Sequence, residues 1–379
     1  MSDDPPNPAL LPAGLRDLLP PEAETEASAI DIVMDAFAAH GYQRVKPPLM
    51  EYEDGLLTGT GTGLSDQIFR LMDPATHRMI GIRADITPQV ARIATTRLAH
   101  APRPLRLSYS GQVLRVSGAG PVPDRQISQA GIELIGHDSP EADAEVVLVA
   151  AEALAALGLV HVSFDLTMPP LVQSLLEEAT AEHRPALAHA LDRKDAASVA
   201  EHGGALADTL TELLLSAGPA TRALAVLAKV KLPPTAGAHA ARLADVVSAI
   251  RARAPTLKLT LDPVEFRGYR YHSGVCSEVY FSGHPEALGR GGRYACGDGE
   301  PATGITLFPD AVLRAAPARS ARARVFLPFG TDMAEGAELR RNGWATVAGL
   351  EQESDAATAA RTQGCGHLWD GGVLIAIGG

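Results

Sequence analysis

Carboxamide and carboxylate side chains alternate with apolar ones along the segment Gln129-Ala130-Gly131-Ile132-Glu133. On a β-strand, residues two apart share a face, so Gln129 and Glu133 project together from either side of Gly131. Because Gly131 has no side chain, the gap between them could seat a ligand. The spacing fits equally well a half-buried strand whose polar face meets water or a loop.

A second polar segment, Arg83-Ala84-Asp85-Ile86-Thr87, repeats this spacing and predicts that Arg83, Asp85 and Thr87 lie on one side of a strand. An amino-acid zwitterion needs a carboxylate for its ammonium group and a guanidinium for its carboxylate. Asp85 and Arg115 could supply both. Taken singly, each is more often half of a surface ion pair.

Two glycine-rich segments could approach a phosphate or another anion. The segment 59–63, Gly-Thr-Gly-Thr-Gly, follows two acidic residues and resembles the phosphoribosyl-diphosphate loop of phosphoribosyltransferases. The strand before it is short and broken by Pro47 and Pro48, which favours flexible chain instead. The segment 289–294 offers close backbone approach and two guanidinium groups, so it is either a ligand wall or a tight bend between strands.

Composition narrows the classes of function. Among 379 residues, 45 acidic side chains exceed 33 basic ones, giving a formal charge of −12. An acidic chain without a Lys/Arg block is not expected to bind nucleic acid. The three cysteines have no C-x-x-C spacing, which fits a reducing compartment without structural zinc. With no signal pattern and no membrane-length apolar run, the sequence predicts a cytoplasmic protein without a membrane partner.

The elements that must position these residues follow from periodicity and turn residues. A helix is expected over 22–40, closed by Gly41, and a hairpin over 68–72 and 79–82. Antiparallel strands are expected over 105–114 and 126–135, joined by a Gly/Pro-rich loop. A further helix should begin at Ser139-Pro140 and stop before Gly158.

Composition also suggests the order of domains. The sequence predicts a core over 1–168, an Ala/Leu-rich helical insertion over 169–257, and the second part of the core over 258–318. Residues 319–379 are expected to form a small C-terminal α/β domain, with strands at 325–329, 345–350 and 373–377 and helices at 333–341 and 355–363.

Taken together, these motifs resemble one family: the class II histidyl-tRNA synthetases and their catalytically silent paralogue, the regulatory subunit of ATP phosphoribosyltransferase. The resemblance covers about residues 10–315 outside the predicted insertion. The segment 83–87 resembles the block that holds the amino group of histidine, and 111–115 with 125–136 resembles motif 2. The other matches are the entry segment 12–20, motif 1 at 22–48, and the histidine-specific blocks 267–272 and 291–294.

The resemblance implies an α+β fold, a class II aminoacyl-tRNA synthetase-like antiparallel sheet flanked by helices. It implies no metal and no cofactor. It also implies a histidine-binding site formed by Asp85, Thr87, Arg115, Gln129, Glu133, Arg267, Tyr271 and His272. Within that site Glu133 is expected to read the imidazole, because a carboxylate accepts a hydrogen bond from a ring N–H.

Two departures indicate which branch of the family this chain resembles. A synthetase has Glu two residues after its motif 2 arginine, where this chain has Ser117, and an arginine in motif 3, where this chain has Ala311. Without that guanidinium the ATP triphosphate loses a major charge partner, so adenylation should slow by orders of magnitude. The C-terminal unit is also about half the usual size of an anticodon-binding domain.

These departures favour the non-catalytic regulatory subunit, acting in the first step of histidine biosynthesis. The resemblance then implies a homodimer through the motif 1 region, L-histidine as ligand, and a short-form ATP phosphoribosyltransferase catalytic subunit as partner. That partner would depend on this chain for activity and for feedback inhibition. A divergent histidyl-tRNA synthetase is the alternative, and an amino-acid-binding module with another partner also stays open.

One substitution bears on ligand specificity. The family has two adjacent tyrosines where this chain has Tyr271 and His272. Adjacent side chains point to opposite faces of a regular strand, so both can line one pocket only if the backbone bends, for instance at Gly268 or Gly274. A core or interface role for His272 is the alternative.

Overall fold

A computed structural model describes residues 9–57, 59–118, 124–266, 268, 271–317 and 322–377. The chain splits into two compact units, residues 1–317 and 318–379. The finer division of the first unit into core and insertion stays a prediction. Within the described ranges no helix is long and apolar enough to cross a membrane.

The first unit combines a large sheet, a small sheet and helices. Its helices are α1 (Glu22–Ala39), α2 (Glu53–Leu56), α3 (Thr87–Thr95), α4 (Pro140–Ala156), α5 (Pro169–Glu178), α6 (Arg184–Asp192), α7 (Ala196–His202), α8 (Ala207–Ser216), α9 (Ala220–Leu227), α10 (Pro234–Arg253) and α11 (Pro309–Ala315). Its strands are β1 (Gln43–Arg44), β2 (Met50–Tyr52), β3 (Phe69–Met72), β4 (Met79–Ile82), β5 (Leu105–Leu114), β6 (Gln126–Ile135), β7 (Val162–Thr167), β8 (Gly218–Pro219), β9 (Lys258–Asp262), β10 (His272–Phe281), β11 (Gly289–Ala295) and β12 (Pro301–Leu307).

The large sheet has the strand order β1-β5-β6-β12-β11-β10-β7-β9-β8, and its strands from β5 to β7 pair antiparallel. Strands β5 and β6 have the predicted bounds and pair along their full length, with Tyr109 opposite Gly131. The predicted hairpin is also confirmed, since β3 and β4 pair antiparallel within the small sheet β2-β4-β3.

Alternation along β6 divides its residues between two apolar layers. Ala130, Ile132 and Leu134 point into the main core, which includes residues of α1, α4, α5 and α10. The odd-numbered residues point to the other face, where Ile135 packs in a second cluster with residues of α3 and β5. Gln129 and Glu133 therefore lie on the α3 side of the sheet.

Helix α4 begins and ends as its sequence predicts. The Ser139 hydroxyl accepts a hydrogen bond from the Ala142 N–H over 3.2 Å, and Pro140 occupies the first turn. Gly158 follows the helix with φ of +88°, a left-handed conformation that glycine adopts without a Cβ penalty. Helix α1 begins at its predicted residue and ends one residue before its predicted limit.

Two local predictions are wrong. The segment 83–86 is a turn, not a strand: the Asp85 carboxylate accepts the Thr87 N–H over 3.0 Å, and α3 begins there because Pro88 suits a first helical turn. The Arg83 guanidinium accordingly points elsewhere and donates to the Gln112 carbonyl over 2.8 Å. The segment expected to be flexible forms a 3₁₀ helix over Gly59–Gln67.

The second unit is a small α/β layer structure. Its elements are β13 (Arg324–Leu327), α12 (Met333–Arg341), β14 (Ala345–Ala348), α13 (Ala356–Thr362), β15 (His367–Asp370) and β16 (Val373–Ala376). Strands β14, β13 and β15 run parallel, and β16 adds antiparallel to β15. Strand β15 is absent from the sequence-based assignment because four residues with polar ends carry too little alternation.

Candidate functional site

A cavity of about 560 Å³ opens on the α3 side of the large sheet. Its walls come from the turn before α3, from β6, β10, β11 and β12, and from α11. Seven of the eight predicted site residues line it: Asp85, Thr87, Arg115, Gln129, Glu133, Tyr271 and His272. The eighth, Arg267, lies outside the described residues.

Glu133 lies at the most buried part of this cavity, with 1% of its surface exposed. One carboxyl oxygen accepts from the Thr87 hydroxyl over 3.0 Å and the Tyr109 hydroxyl over 3.2 Å, and the other from the Tyr294 hydroxyl over 2.9 Å. Burial raises the pKa of Glu133 to about 8, although these hydroxyl donors act in the opposite direction. At neutral pH the carboxyl group is therefore mostly protonated.

Tyr109 fills the gap beside Gly131, for which the sequence left open a ligand or an ordinary half-buried strand. A Cβ atom on Gly131 would lie 2.5 Å from the Tyr109 hydroxyl oxygen, so this glycine makes room for a phenol ring. The ring is fully buried, and its hydroxyl group also contacts Thr87 over 3.0 Å and Thr306 over 2.7 Å. The first alternative, a ligand in the glycine gap, is wrong, because an aromatic side chain of the neighbouring strand already occupies it.

Four lining residues form what we call the buried wall: Thr87, Gln129, Glu133 and Tyr294, none of them more than 6% exposed. Gln129 ties β6 to the turn before α3, since its side-chain oxygen accepts the Ile86 N–H over 3.0 Å. That bond places Asp85 and Thr87 against β6. The buried wall is thus connected by hydrogen bonds before any ligand enters.

Two aromatic residues of the first histidine-specific block, Tyr271 and His272, line the cavity. The Tyr271 and His272 rings stack with centroids 4.3 Å apart at 24°. Pairing between β10 and β11 shifts register between His272 and Cys276, so the backbone bends over the stretch that includes Gly274. Burial, assisted by the Arg290 charge, lowers the pKa of His272 to about 3, so this ring is neutral at physiological pH.

Charged residues line the more exposed part of the cavity. We call Glu278, Glu286, Arg290 and Arg314 the open wall, because their side chains are 27% to 41% exposed. Arg314 bonds Glu286 over 2.6 Å, and Arg290 lies 3.6 Å from Glu278. The arginines of the open wall are therefore already neutralised by neighbouring carboxylates.

The two positions that depart from a synthetase have different surroundings. Ala311 lines the cavity and offers only a methyl group. Ser117 does not line it, and its side chain contacts Gln67 instead. Arg115 does line the cavity, where its Nε donates to the Ala84 carbonyl over 3.2 Å.

Sequence reasoning missed Tyr109 and Tyr294 as the hydroxyl partners of Glu133. The signal for Tyr109 was its position on β5 in alternation with two buried leucines. Gly304 was also missed: it pairs with Glu133 across β6 and β12, and a Cβ there would lie 1.8 Å from the Glu133 carboxylate. No pattern within a single strand could reveal this close approach.

Comparison with known proteins is consistent across sequence and structure. A family model described as histidyl-tRNA synthetase matches residues 14–312. A protein of Rhodospirillum centenum named ATP phosphoribosyltransferase regulatory subunit is 54% identical, over 100% of this chain and 99% of its own. A protein of the same name from Gluconobacter oxydans is also 54% identical, over 97% of each chain.

A solved structure described as an ATP phosphoribosyltransferase regulatory subunit/histidyl-tRNA synthetase from Bacillus halodurans aligns with a TM-score of 0.80. The alignment covers 94% of this chain and 97% of the other at 22% identity, a level that supports the fold alone. The predicted class II synthetase-like α+β fold is thereby confirmed.

Proposed function

The chain belongs to the ATP phosphoribosyltransferase regulatory subunits, a family with a regulatory role in histidine biosynthesis, and we propose that it binds L-histidine in the cavity described above. One observation carries this proposal. The buried wall is complete and linked by hydrogen bonds, whereas Ala311 leaves the other half of the cavity without the guanidinium that an ATP-binding synthetase uses. The cavity therefore suits an amino acid better than a nucleotide.

The charges along the cavity match an amino-acid zwitterion with an imidazole. Asp85 can receive the ammonium group, and Arg115 can receive the carboxylate. The protonated Glu133 carboxyl can share its proton with an imidazole nitrogen. An apolar side chain of similar size would leave that buried carboxyl without a ligand partner, which is an effective way to reject it.

Under this proposal the chain performs no reaction of its own. A triphosphate would meet Ala311 instead of an arginine, and Arg314 is engaged by Glu286. Isothermal calorimetry on the purified chain should show histidine binding, while histidine-dependent ATP–pyrophosphate exchange should be absent. Exchange at a synthetase-like rate would instead establish the alternative, a divergent histidyl-tRNA synthetase.

The proposed partner is a short-form ATP phosphoribosyltransferase catalytic subunit, activated by this chain and inhibited through it by histidine. Co-elution of the two purified proteins, with activity present only in the mixture, is the expected result. Histidine should then inhibit the mixture. Full activity and inhibition of the catalytic subunit alone would contradict the proposal.

We further propose a homodimer through the motif 1 region. The small sheet that follows this region exposes large apolar side chains, among them Leu71, Met72 and Met79, at 38% to 61%. Met72 and Met79 pair across β3 and β4 and so share a face of this sheet, and exposed apolar residues grouped on one surface are typical of an interface. Sedimentation should give a dimer, and a monomer at micromolar concentration would contradict this part of the proposal.

A further inference from the structure

The irregular part of β10 lies opposite a single residue of β11. His272 pairs with Tyr294 and Cys276 with Gly292, so β10 uses residues 273–275 where β11 uses only Arg293. This widened stretch follows directly on the stacked Tyr271 and His272 rings. Whatever holds the widened stretch in place therefore also fixes the wall that carries those rings.

The Arg293 side chain packs against this stretch. A Cβ on Gly274 would lie 2.9 Å from Arg293 Cδ and 3.0 Å from its Cβ, so the aliphatic stem of Arg293 lies against the Gly274 backbone. The stem can reach this close only because residue 274 has no side chain.

The guanidinium at the end of this stem is almost fully engaged. Arg293 is 6% exposed, and it donates to the Asp143 carboxylate through Nε over 2.9 Å and a terminal nitrogen over 2.8 Å. It also donates to the main-chain oxygens of His137 over 3.2 Å and Ser139 over 3.3 Å. These acceptors belong to the segment that leads into α4 and to the first turn of that helix, on the side of the sheet away from α3.

A second cation shares the same carboxylate. Asp143 is 3% exposed, and it receives Arg242 of α10 over 3.0 Å. Asp143 thus links α10, the start of α4 and β11. The helix of the predicted insertion and the cavity wall are connected through this one buried carboxylate.

We propose that Arg293 is a positioning residue for the ligand cavity: held by Asp143, its stem supports the widened stretch of β10 and keeps Tyr271 and His272 together on the cavity wall. This inference rests on the proposed function for the identity of the ligand. Arg293 does not itself line the cavity among the described residues, so it acts through β10. A planar guanidinium can serve a carboxylate and two carbonyls together, whereas a lysine ammonium is a point charge.

The test uses the full chain carrying Arg293→Lys. Hydrogen–deuterium exchange should become about tenfold faster in residues 271–276 and stay unchanged in β7. Histidine affinity by calorimetry should fall roughly fivefold to tenfold. In a His272→Ala background the same substitution should have less effect on affinity, because a positioning role acts through that ring.

Arg103→Lys is a matched control. Arg103 also joins a carboxylate, Glu300, and main-chain oxygens, those of Leu98 and Ala101, but it lies away from the cavity. It should lower the melting temperature without changing histidine affinity. Gly274→Ala is a second test variant, since its Cβ displaces the Arg293 stem while Arg293 and Asp143 stay intact.

The proposal is supported if either test variant shows both faster exchange over 271–276 and weaker histidine binding. Arg103→Lys should show neither change. Unchanged exchange over that segment in both folded test variants would overturn it, as would affinity losses that follow melting temperature in all three proteins. If the wild-type chain bound no histidine, the proposed function would fall, while exchange over 271–276 would still decide the role of Arg293.

Discussion

The buried wall and the open wall of the cavity differ in the chemistry and in the exposure of their polar groups. The buried wall joins neutral hydroxyl and amide groups to one carboxyl whose pKa is raised to about 8, all of them shielded from water. The open wall sets arginines against carboxylates at the solvent boundary. A ligand entering the first finds donors and acceptors already oriented, whereas an anion entering the second must compete with fixed carboxylates.

Under the proposed function, this difference would favour an amino acid over a nucleotide in the cavity. Orientation within the buried wall depends on side chains from several strands, so single changes there should be costly. Pairs in the open wall are partly exposed and screened by water, so changes there should have little effect. Four predictions test this contrast, starting with the largest expected effect.

Gly304→Ala should break the buried wall. Its new Cβ would lie 1.8 Å from the Glu133 carboxylate and 2.6 Å from the Ile132 carbonyl oxygen, so the carboxylate must shift away from its hydroxyl partners. We expect histidine affinity to fall more than about a hundredfold and stability to fall by about 1–3 kcal/mol, as in overpacked cores. Calorimetry and thermal melting measure the two effects.

Gly297→Ala is the control for that substitution, because its Cβ would meet Thr95 at an ordinary 3.7 Å. It should leave affinity near the wild-type value. Equal affinities in the two variants would show that the buried wall tolerates displacement of Glu133.

Glu133→Gln should weaken histidine binding roughly tenfold to a hundredfold at neutral pH. On binding, the carboxyl proton can pass to the imidazole, and the resulting charge-assisted hydrogen bond contributes about 1.5–3 kcal/mol. The amide keeps the shape and can still bond the surrounding hydroxyls, so the fold should persist. Glu286→Gln in the open wall is the matched control and should change affinity less than about twofold. Similar losses of histidine affinity in both variants would show that the two walls do not differ in their contribution to binding.

The pH dependence of binding should show a plateau. Between the ordinary imidazole pKa of about 6.5 and the Glu133 pKa of about 8, a neutral imidazole meets a protonated carboxyl, so no proton is exchanged with solvent. Below this range the ligand must release a proton, and above it the complex must take one up. Affinity should therefore fall on either side, by up to about tenfold per pH unit.

Glu133→Gln separates the two limbs of this profile. The amide does not titrate, so the alkaline fall should disappear while the acid fall remains. Calorimetry in buffers of different ionisation enthalpy would follow the proton directly. An alkaline fall that persists in the variant would assign it to another group.

Arg314→Ala should have the smallest effect. Its partner Glu286 and its own side chain are 27% and 41% exposed, so solvent screens the pair. We expect a stability change of less than about 1 kcal/mol and histidine affinity within about twofold of wild type. A tenfold change in affinity by calorimetry would show that the open wall takes part in ligand binding.

Much of the fold could be predicted because it depends on local sequence patterns. The alternation in β5 and β6, the Ser139-Pro140 start of α4 and the turn residues of the hairpin each depend on neighbours in sequence. Two-residue spacing was misleading at 83–87, where the side-chain bond from Asp85 to the Thr87 N–H begins a helix.

The site was predicted less completely, because its decisive contacts join distant strands. Residue types and resemblance identified Glu133, but its three hydroxyl partners come from α3, β5 and β11. The glycine gap at 131 looked empty because the phenol that fills it is 22 residues earlier in the chain. Pairing between strands, not the composition of either strand, determined what occupied that space.

The buried thiol of Cys276 lies where the widened stretch of β10 ends, so its reactivity can report on opening of the cavity wall. Its Sγ faces the Gly274 carbonyl over 3.5 Å, and burial raises the pKa of the thiol well above its usual value. Alkylating reagents attack the thiolate, so we expect Cys276 to react only when this part of the wall opens. The rate of alkylation at Cys276 in the unaltered chain would therefore report how often this part of the cavity wall opens. No probe has to be introduced.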